Sequence, residues 1–285
     1  MTNIAPSPTA QPSHDSLGLG KTPGQRGAEI IAGLRAELFP SPEHRALSRF
    51  GSRMIAMLVT RLEKRPEALN YIVVRPATMT ELARRTLKQW LTESSEPRTV
   101  VDVAAGLSTR GLTLAREFPQ VQVIEVDLHD VVMTKQRRLK MAQNLKVPSN
   151  LSWRSADLGV TPLAEVLGGK AVDIVVAEGL IAYFTPQDNI KIAAHIRQSL
   201  KPNGFFLCDI PWREGMSKLK EAGSLFSRQA GNFLGIMNSE EDMRQMLLQA
   251  GYASVEIYHP LQLQQEMNLN MPVIEFSLFS LAKNT

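Results

Sequence analysis

From residue 99 onward, short and almost continuous apolar runs alternate with stretches whose apolar positions recur every three to four residues. The runs at 99–103, 121–126, 151–155, 172–177 and 205–210 read as strands, and the segments 109–118, 131–145 and 186 onward read as helices. A strand that is apolar at every position is buried on both faces, which requires a parallel sheet with helices on each side. The last two strand-like runs, 253–258 and 273–282, have only a loop between them and should pair antiparallel. The pattern therefore predicts an α/β fold with a doubly wound, mostly parallel sheet and an antiparallel C-terminal strand. No internal repeat is visible.

Before the alternation begins, the pattern changes twice. Residues 1–25 are rich in Pro, Ser, Thr and Gly and lack hydrophobic periodicity, so they read as a tail that cannot offset its ordering entropy. Residues 26–75 are helical in pattern and read as a cap. Ile30, Ile31, Leu34 and Leu38 make one stripe, Met54, Met57, Leu58 and Leu62 a second, and Pro40-Ser41-Pro42 divides them. The third segment, 76–285, opens with Thr78-Met79-Thr80-Glu81, which has capping-box spacing, followed by a stripe of Met79, Leu82, Ala83, Leu87 and Trp90. Further helix starts are written at Thr185-Pro186 and at Ser239-Glu240-Glu241-Asp242.

Composition narrows the class of protein. The 285 residues are 44% hydrophobic and 21% charged, with a formal charge of +4, as in an ordinary globular chain. Basic residues alternate with acids along most segments, so nucleic acid is not an expected partner. The one basic cluster, Lys135-Gln136-Arg137-Arg138-Leu139-Lys140, reads as a solvated helix face. Cys208 is the single cysteine, which rules out an internal disulfide and a thiolate metal cluster. No metal is expected. No apolar run has the length to span a bilayer, and the N-terminus lacks the pattern of a secretory signal, so a cytoplasmic location without a membrane partner is the expectation. The oligomeric state stays open, with a homodimer among the alternatives.

The chemistry sits where strands end. Asp102-Val103-Ala104-Ala105-Gly106-Leu107-Ser108-Thr109-Arg110 joins the first strand to a helix, where backbone N–H groups face the crevice beyond the sheet. Ala104, Ala105 and Gly106 are small enough for close approach of a ligand. A dinucleotide site would require Gly-x-Gly-x-x-Gly, whereas Gly106 is the only glycine of that set. Glu125-Val126-Asp127 closes the second strand with an acid able to take both hydroxyls of a ribose. Asp157-Leu158 follows the third and suits adenine, with a carboxylate for the amino group and a backbone N–H for a ring nitrogen. Glu178-Gly179-Leu180 follows the fourth with an acid that can meet an ammonium group. One such carboxylate is commonly a cap or a turn; three at consecutive strand ends point to a site.

Val100 to Arg110, together with Glu125-Val126-Asp127-Leu128, Lys135, Asp157-Leu158 and Glu178-Gly179-Leu180-Ile181-Ala182-Tyr183, resembles a class I methyltransferase. More narrowly, the chain is similar to the leucine carboxyl methyltransferase-like family, which includes bacterial O-methyltransferases of polyketide and other small-molecule pathways. The resemblance runs from about Arg75 to the C-terminus. It implies a Rossmann-like class I methyltransferase fold with S-adenosyl-L-methionine as cofactor. It further implies cofactor-binding roles for Arg75, Ala104, Ala105, Gly106, Arg110, Asp127, Leu128, Asp157, Leu158 and Glu178. Asp127 would hold the ribose, Asp157-Leu158 the adenine, and Glu178 would lie by the methionine moiety, with Arg75 or Arg110 near its carboxylate. Ala104 departs from the family glycine and brings a methyl group near the cofactor.

On the acceptor side, Tyr183 and His259 are the candidate catalytic residues. Pro211-Trp212-Arg213 and the segment 216–237, with Phe226, Phe233, Leu234 and Met237, are candidates for the pocket wall. The expected function is O-methylation of a carboxyl or hydroxyl group on a small, apolar metabolite of secondary-metabolite type. The alternatives are a protein or nucleic-acid methyltransferase and a non-catalytic partner protein that retains the fold.

Overall fold

The computed structural model describes residues 23–63, 66–93, 96–221, 233–269 and 271–285, with side chains from residue 27 onward. Most of the tail expected at 1–25, and Phe226, lie outside the described residues. A seven-stranded sheet forms the centre in the order β3-β2-β1-β4-β5-β7-β6. The strands are β1 (Arg98–Val103), β2 (Val121–Asp127), β3 (Leu151–Ser155), β4 (Val172–Ala177), β5 (Leu200–Pro211), β6 (Ser254–Tyr258) and β7 (Ser277–Lys283). The pairs among β1 to β5 are parallel, and β7 runs antiparallel to both β5 and β6. This is the Rossmann-like sheet expected from the run of apolar strands. The connection from β6 to β7 also contains a helix, Pro260–Glu266, in place of a plain loop.

Every residue of β4 is buried, as its unbroken apolar run requires. One layer of core, built from Val101, Val103, Val175 and Ile210, packs against α8 (Pro186–Gln198) and the helix Glu240–Gln249. On the opposite face, Val100, Val123 and Val176 pack with Leu112 of α5 (Arg110–Glu117) and Leu139 of α6 (His129–Met141). That second cluster also contains Ala32 of α1 (Pro23–Leu38), Leu47 of α2 (Pro42–Leu47) and Met79 of α4 (Pro66–Glu93). The helical cap and the sheet share one apolar core.

Three local expectations change. Helix α4 is continuous for 28 residues and contains Pro76. The segment boundary expected at residue 76 therefore falls inside a helix. Thr78 is not an N-cap; it is buried, and its Oγ1 donates to the carbonyls of Val74 and Arg75. The basic cluster on α6 is solvated only in part. Lys135 is buried, with its Nζ 2.8 Å from Glu125 Oε2, and Arg138 pairs with Glu29 of α1. Third, α3 (Phe50–Leu62) turns its expected apolar stripe outward. It packs on α1 through Ser52 and Ala56, because a Cβ at Gly33 would lie 2.4 Å from the carbonyl oxygen of Ser52. Small residues let those two backbones approach, and Met54, Leu58 and Leu62 are left on the far side.

Glu125 is buried with its Oε2 shared between Lys135 and the indole N–H of Trp153, at 2.6 Å from the latter. Burial pushes this carboxyl above its ordinary range, and the Lys135 ammonium opposes the shift. Removing one partner of a buried pair strands the other without water. Lys135→Met is expected to destabilise the protein by about 3–5 kcal/mol, measured by urea denaturation. A loss under about 1 kcal/mol would mean that the pair is solvated.

Candidate active site

The strand ends of the parallel sheet open into a cavity of about 480 Å³, within the size range of small-molecule sites. Arg75, Ala104, Ala105, Gly106, Arg110, Asp127, Leu128, Asp157, Leu158, Glu178 and Tyr183 all line it. The sheet topology explains why: β1 is central, so the loops after β1, β2, β3 and β4 converge on one crevice. Helix α1 lines the cavity with Ala28, Ile31, Ala32 and Arg35.

The loop after β1 is held by its neighbour strand. Gly106 N–H donates to Asp127 Oδ2 at 2.6 Å, and Leu128 N–H donates to Asp127 Oδ1 at 2.7 Å. Burial raises the Asp127 carboxyl while those two N–H groups pull it back. Gly106 and Ala104 both have positive φ, +54° and +51°. Glycine takes this conformation freely, but at Ala104 the Cβ makes it strained by roughly 1–2 kcal/mol. Across the cavity, Asp157 Oδ1 accepts from Gly159 N–H at 2.9 Å, which closes the turn after β3.

The other end of the cavity is a charge network. Glu178 is surrounded by three guanidinium groups: Arg75 at 3.0 Å, Arg110 at 3.0 Å, and Arg35, which bonds its Oε1. Arg110 is buried, contrary to the usual exposure of a first-turn arginine, and its Nε donates to Asp102 Oδ2 at 3.0 Å. Arg75 reaches onward to Asp209 of β5 at 3.3 Å. Asp209 Oδ1 in turn accepts from Gly179 N–H at 2.5 Å, and its Oδ2 accepts from Ser277 Oγ at 3.2 Å. Burial alone would push the Glu178 carboxyl up, yet the three arginines hold it well below the usual carboxylate range. Burial also depresses Arg35, whereas Glu178 and Asp209 hold Arg75 above the ordinary guanidinium value.

The residue reading missed Arg35 and Asp209. Arg35 lies on a helix more than a hundred residues away in sequence from its partner. Asp209 sits inside the apolar run 205–210, where an acid among strand residues was the one available signal. Tyr183 stands on the cavity wall, 58% exposed, with Phe233 edge-on at 5.5 Å. His259 does not join it. Its Nε2 lies 2.9 Å from Glu240 Oε1 and its Nδ1 3.5 Å from Glu275, beside Trp212 and off the cavity wall. Phe233 packs with Met216, Leu219 and Phe276, while Met237 belongs to the main core. Arg213 bonds Asn238 at the surface. Among the described residues, no group of His, Cys, Asp and Glu is arranged to hold a metal.

The residues present fit an amino-acid nucleoside. Asp127 and Asp157 offer acceptors at one end. At the other, Glu178 can face an ammonium, and Arg35 Nε is buried without an acceptor among the described residues, which leaves donor capacity for a carboxylate. Such a zwitterion adds no net charge to the network.

The sequence model of a family described as leucine carboxyl methyltransferase matches residues 25–197, more than half of the chain. No curated protein sequence matches. Among solved structures, the magnesium protoporphyrin IX methyltransferase of Synechocystis with bound S-adenosylhomocysteine superposes with a TM-score of 0.53 at 13% identity, over 90% of this chain and 99% of that one. An O-methyltransferase family protein from Burkholderia thailandensis gives 0.50 at 15% identity, over 92% and 70%. The S-adenosylmethionine-dependent methyltransferase SibL gives 0.53 at 14%, over 91% and 70%. Against two other matched structures the chain spans half of their length. At these identities the structural likenesses speak to the fold.

Two expectations follow. Ala104→Gly removes the left-handed strain and should raise stability by about 1 kcal/mol, read from denaturant midpoints; no gain would mean that the loop tolerates the Cβ. The folded Glu178 carboxyl is held below its unfolded value. The stability it contributes is therefore full above the ordinary carboxylate range and drains as pH falls below about 4.5. Glu178→Gln should lower the melting temperature at neutral pH and flatten its fall between about pH 5 and pH 2. Parallel melting curves for the two proteins would refute the coupling.

Proposed function

The chain belongs to the leucine carboxyl methyltransferase family and is an S-adenosylmethionine-dependent methyltransferase; we propose that it methylates a carboxylate oxygen of a small, apolar metabolite. The observation that carries this reading is that the three carboxylates on the described cavity wall are each bonded to the protein and assigned to the cofactor, and no histidine lines it, which leaves no base for the acceptor. Asp127 is bonded to Gly106 and Leu128, Asp157 to Gly159, and Glu178 to three arginines. A hydroxyl acceptor requires a base to take its proton. A carboxylate arrives already ionised and needs only to be placed in line.

S-adenosylmethionine, when bound, supplies an electrophilic methyl group on a sulfonium. The residues of this chain do the rest by position and charge. Asp127 takes the ribose hydroxyls on its free lone pairs, and Asp157 with the Leu128 and Leu158 side chains frames the adenine. Ala104, Ala105 and Gly106 give the close backbone approach. Glu178 receives the ammonium, while Arg35, Arg75 and Arg110 surround the carboxylate end. Helix α1 supplies an apolar wall of the cavity through Ala28, Ile31 and Ala32. Tyr183, exposed on the wall, orients the acceptor; His259, held between Glu240 and Glu275, has no part in it.

A hydroxyl acceptor is the second reading, with Tyr183 as the group that would relay its proton. The products separate the two: a methyl ester releases methanol in alkali, whereas a methyl ether does not. Turnover of a panel of lipophilic acids and phenols with labelled cofactor, followed by alkaline hydrolysis, should give volatile label from the acids. Titration of S-adenosylhomocysteine should show binding in the micromolar range that Asp127→Ala abolishes. An unchanged isotherm would remove the ribose assignment, and no binding by the parent chain would leave the fold without its cofactor, as in a non-catalytic partner protein.

A further inference from the structure

Helix α3 carries an outward face that the site and the core leave unused. Phe50, Met54, Leu58 and Leu62 recur every four residues and Ile55 lies beside them, each between 46% and 72% exposed. Residues spaced in this way form one continuous strip on a helix. Single exposed apolar residues are ordinary, but a contiguous strip of five marks a contact surface. The charge on the helix itself is of one sign: Arg53 and Arg61 are its only charged residues, and Glu63, which follows it, is buried. Arg49 at the start of the helix and Arg61 in its last turn are exposed, as is Arg45 on α2, none in an ion pair with a described residue, and no acid occurs between residues 50 and 62.

The sign of that charge selects the occupant. A second copy seated on α3 about a twofold axis would bring the arginines of both copies together with no acid on either helix to answer them. An anionic lipid surface answers both features at once: the strip enters the boundary between headgroups and acyl chains, and the arginines meet the phosphates. We propose that the α3 face is a docking site for an anionic membrane surface, with the helix lying in the plane of the interface. No described helix is long and apolar enough to cross a membrane. Length tests crossing, however, and an interfacial helix needs only one apolar face. Helix α1 is packed between α3 and the cavity, with Ala28 and Ala32 on the cavity and Leu34 toward Ala56. On the reading of an apolar acceptor proposed above, docking on α3 would set a wall of the active site next to the phase in which that acceptor dissolves.

The test is sedimentation of the full chain with vesicles of phosphatidylcholine alone or mixed with phosphatidylglycerol. Partitioning into the anionic vesicles should exceed that into neutral ones by about tenfold or more, and should fall as salt rises to roughly 0.5 M. Leu58→Glu and the double change Arg49→Glu with Arg61→Glu should each remove most of it. Both variants should keep the parent S-adenosylhomocysteine isotherm, which shows them folded and separates this result from the cofactor assignment. Failure to bind anionic vesicles, or equal binding by Leu58→Glu, would overturn the proposal. So would a concentration-dependent dimer that Leu58→Glu dissociates while vesicle binding is absent; the occupant would then be a second copy.

Discussion

The pairing of Glu178 with three arginines holds the other parts of the molecule in register. Its partners come from α1, α4 and α5, and two of them pass the charge onward, Arg110 to Asp102 on β1 and Arg75 to Asp209 on β5. A lone carboxylate in that position would be forced to take up a proton, and a lone guanidinium would be driven out toward water. Together, three acids and three arginines sum to no net charge, so all six can be buried at once. Desolvation makes such a network a poor source of net stability compared with an apolar core of the same volume. What it supplies is geometry. One arrangement satisfies the charges, and that arrangement aligns the ends of three strands with two helices of the cap.

The same condition explains which parts of the site could be read in the sequence. Asp127, Asp157 and Glu178 each follow a clear apolar run, so position alone marked them. The loop from Ala104 to Gly106 was legible for the same reason. Arg35 and Asp209 were not, because their role depends on long-range packing. No local pattern distinguishes an arginine that will be buried beneath a strand end from one on a helix surface. Arg110 shows the point in reverse: its place in a first turn suggested exposure, and the buried Asp102 beside it drew it inward. Lys135, in a basic run, was likewise claimed by Glu125.

The misreadings in the helices share another cause. Thr78 and Glu81 have the spacing of a cap, and Pro76 stands where a helix often begins. Yet α4 continues through them, its threonine hydroxyls bonded back to carbonyls of the preceding turn. Apolar packing along both halves of the helix, with Leu69 and Ile72 on α1 and α3 and Met79 and Leu87 on the sheet, outweighs the bond that Pro76 cannot donate. For α3, periodicity gave the existence of the helix and not the direction of its face. Large apolar residues suggest a buried stripe, but Gly33 and Ser52 allow contact so close that only the small face of α3 fits against α1.

This arrangement has a thermodynamic consequence for the cap. Helix α1 contributes Ala32 to the core beneath the sheet, Leu34 to the contact with α3, and Arg35 to the charge network, all within four consecutive residues. Its position is thus set jointly by the core, by α3 and by the occupant of the cavity. A zwitterionic ligand that drew Arg35 toward its carboxylate and Glu178 toward its ammonium would replace the bond between them with two others. Any force applied to α3 from outside acts on the same helix from its other face, which links the outer surface to the cofactor cavity through a single layer of side chains.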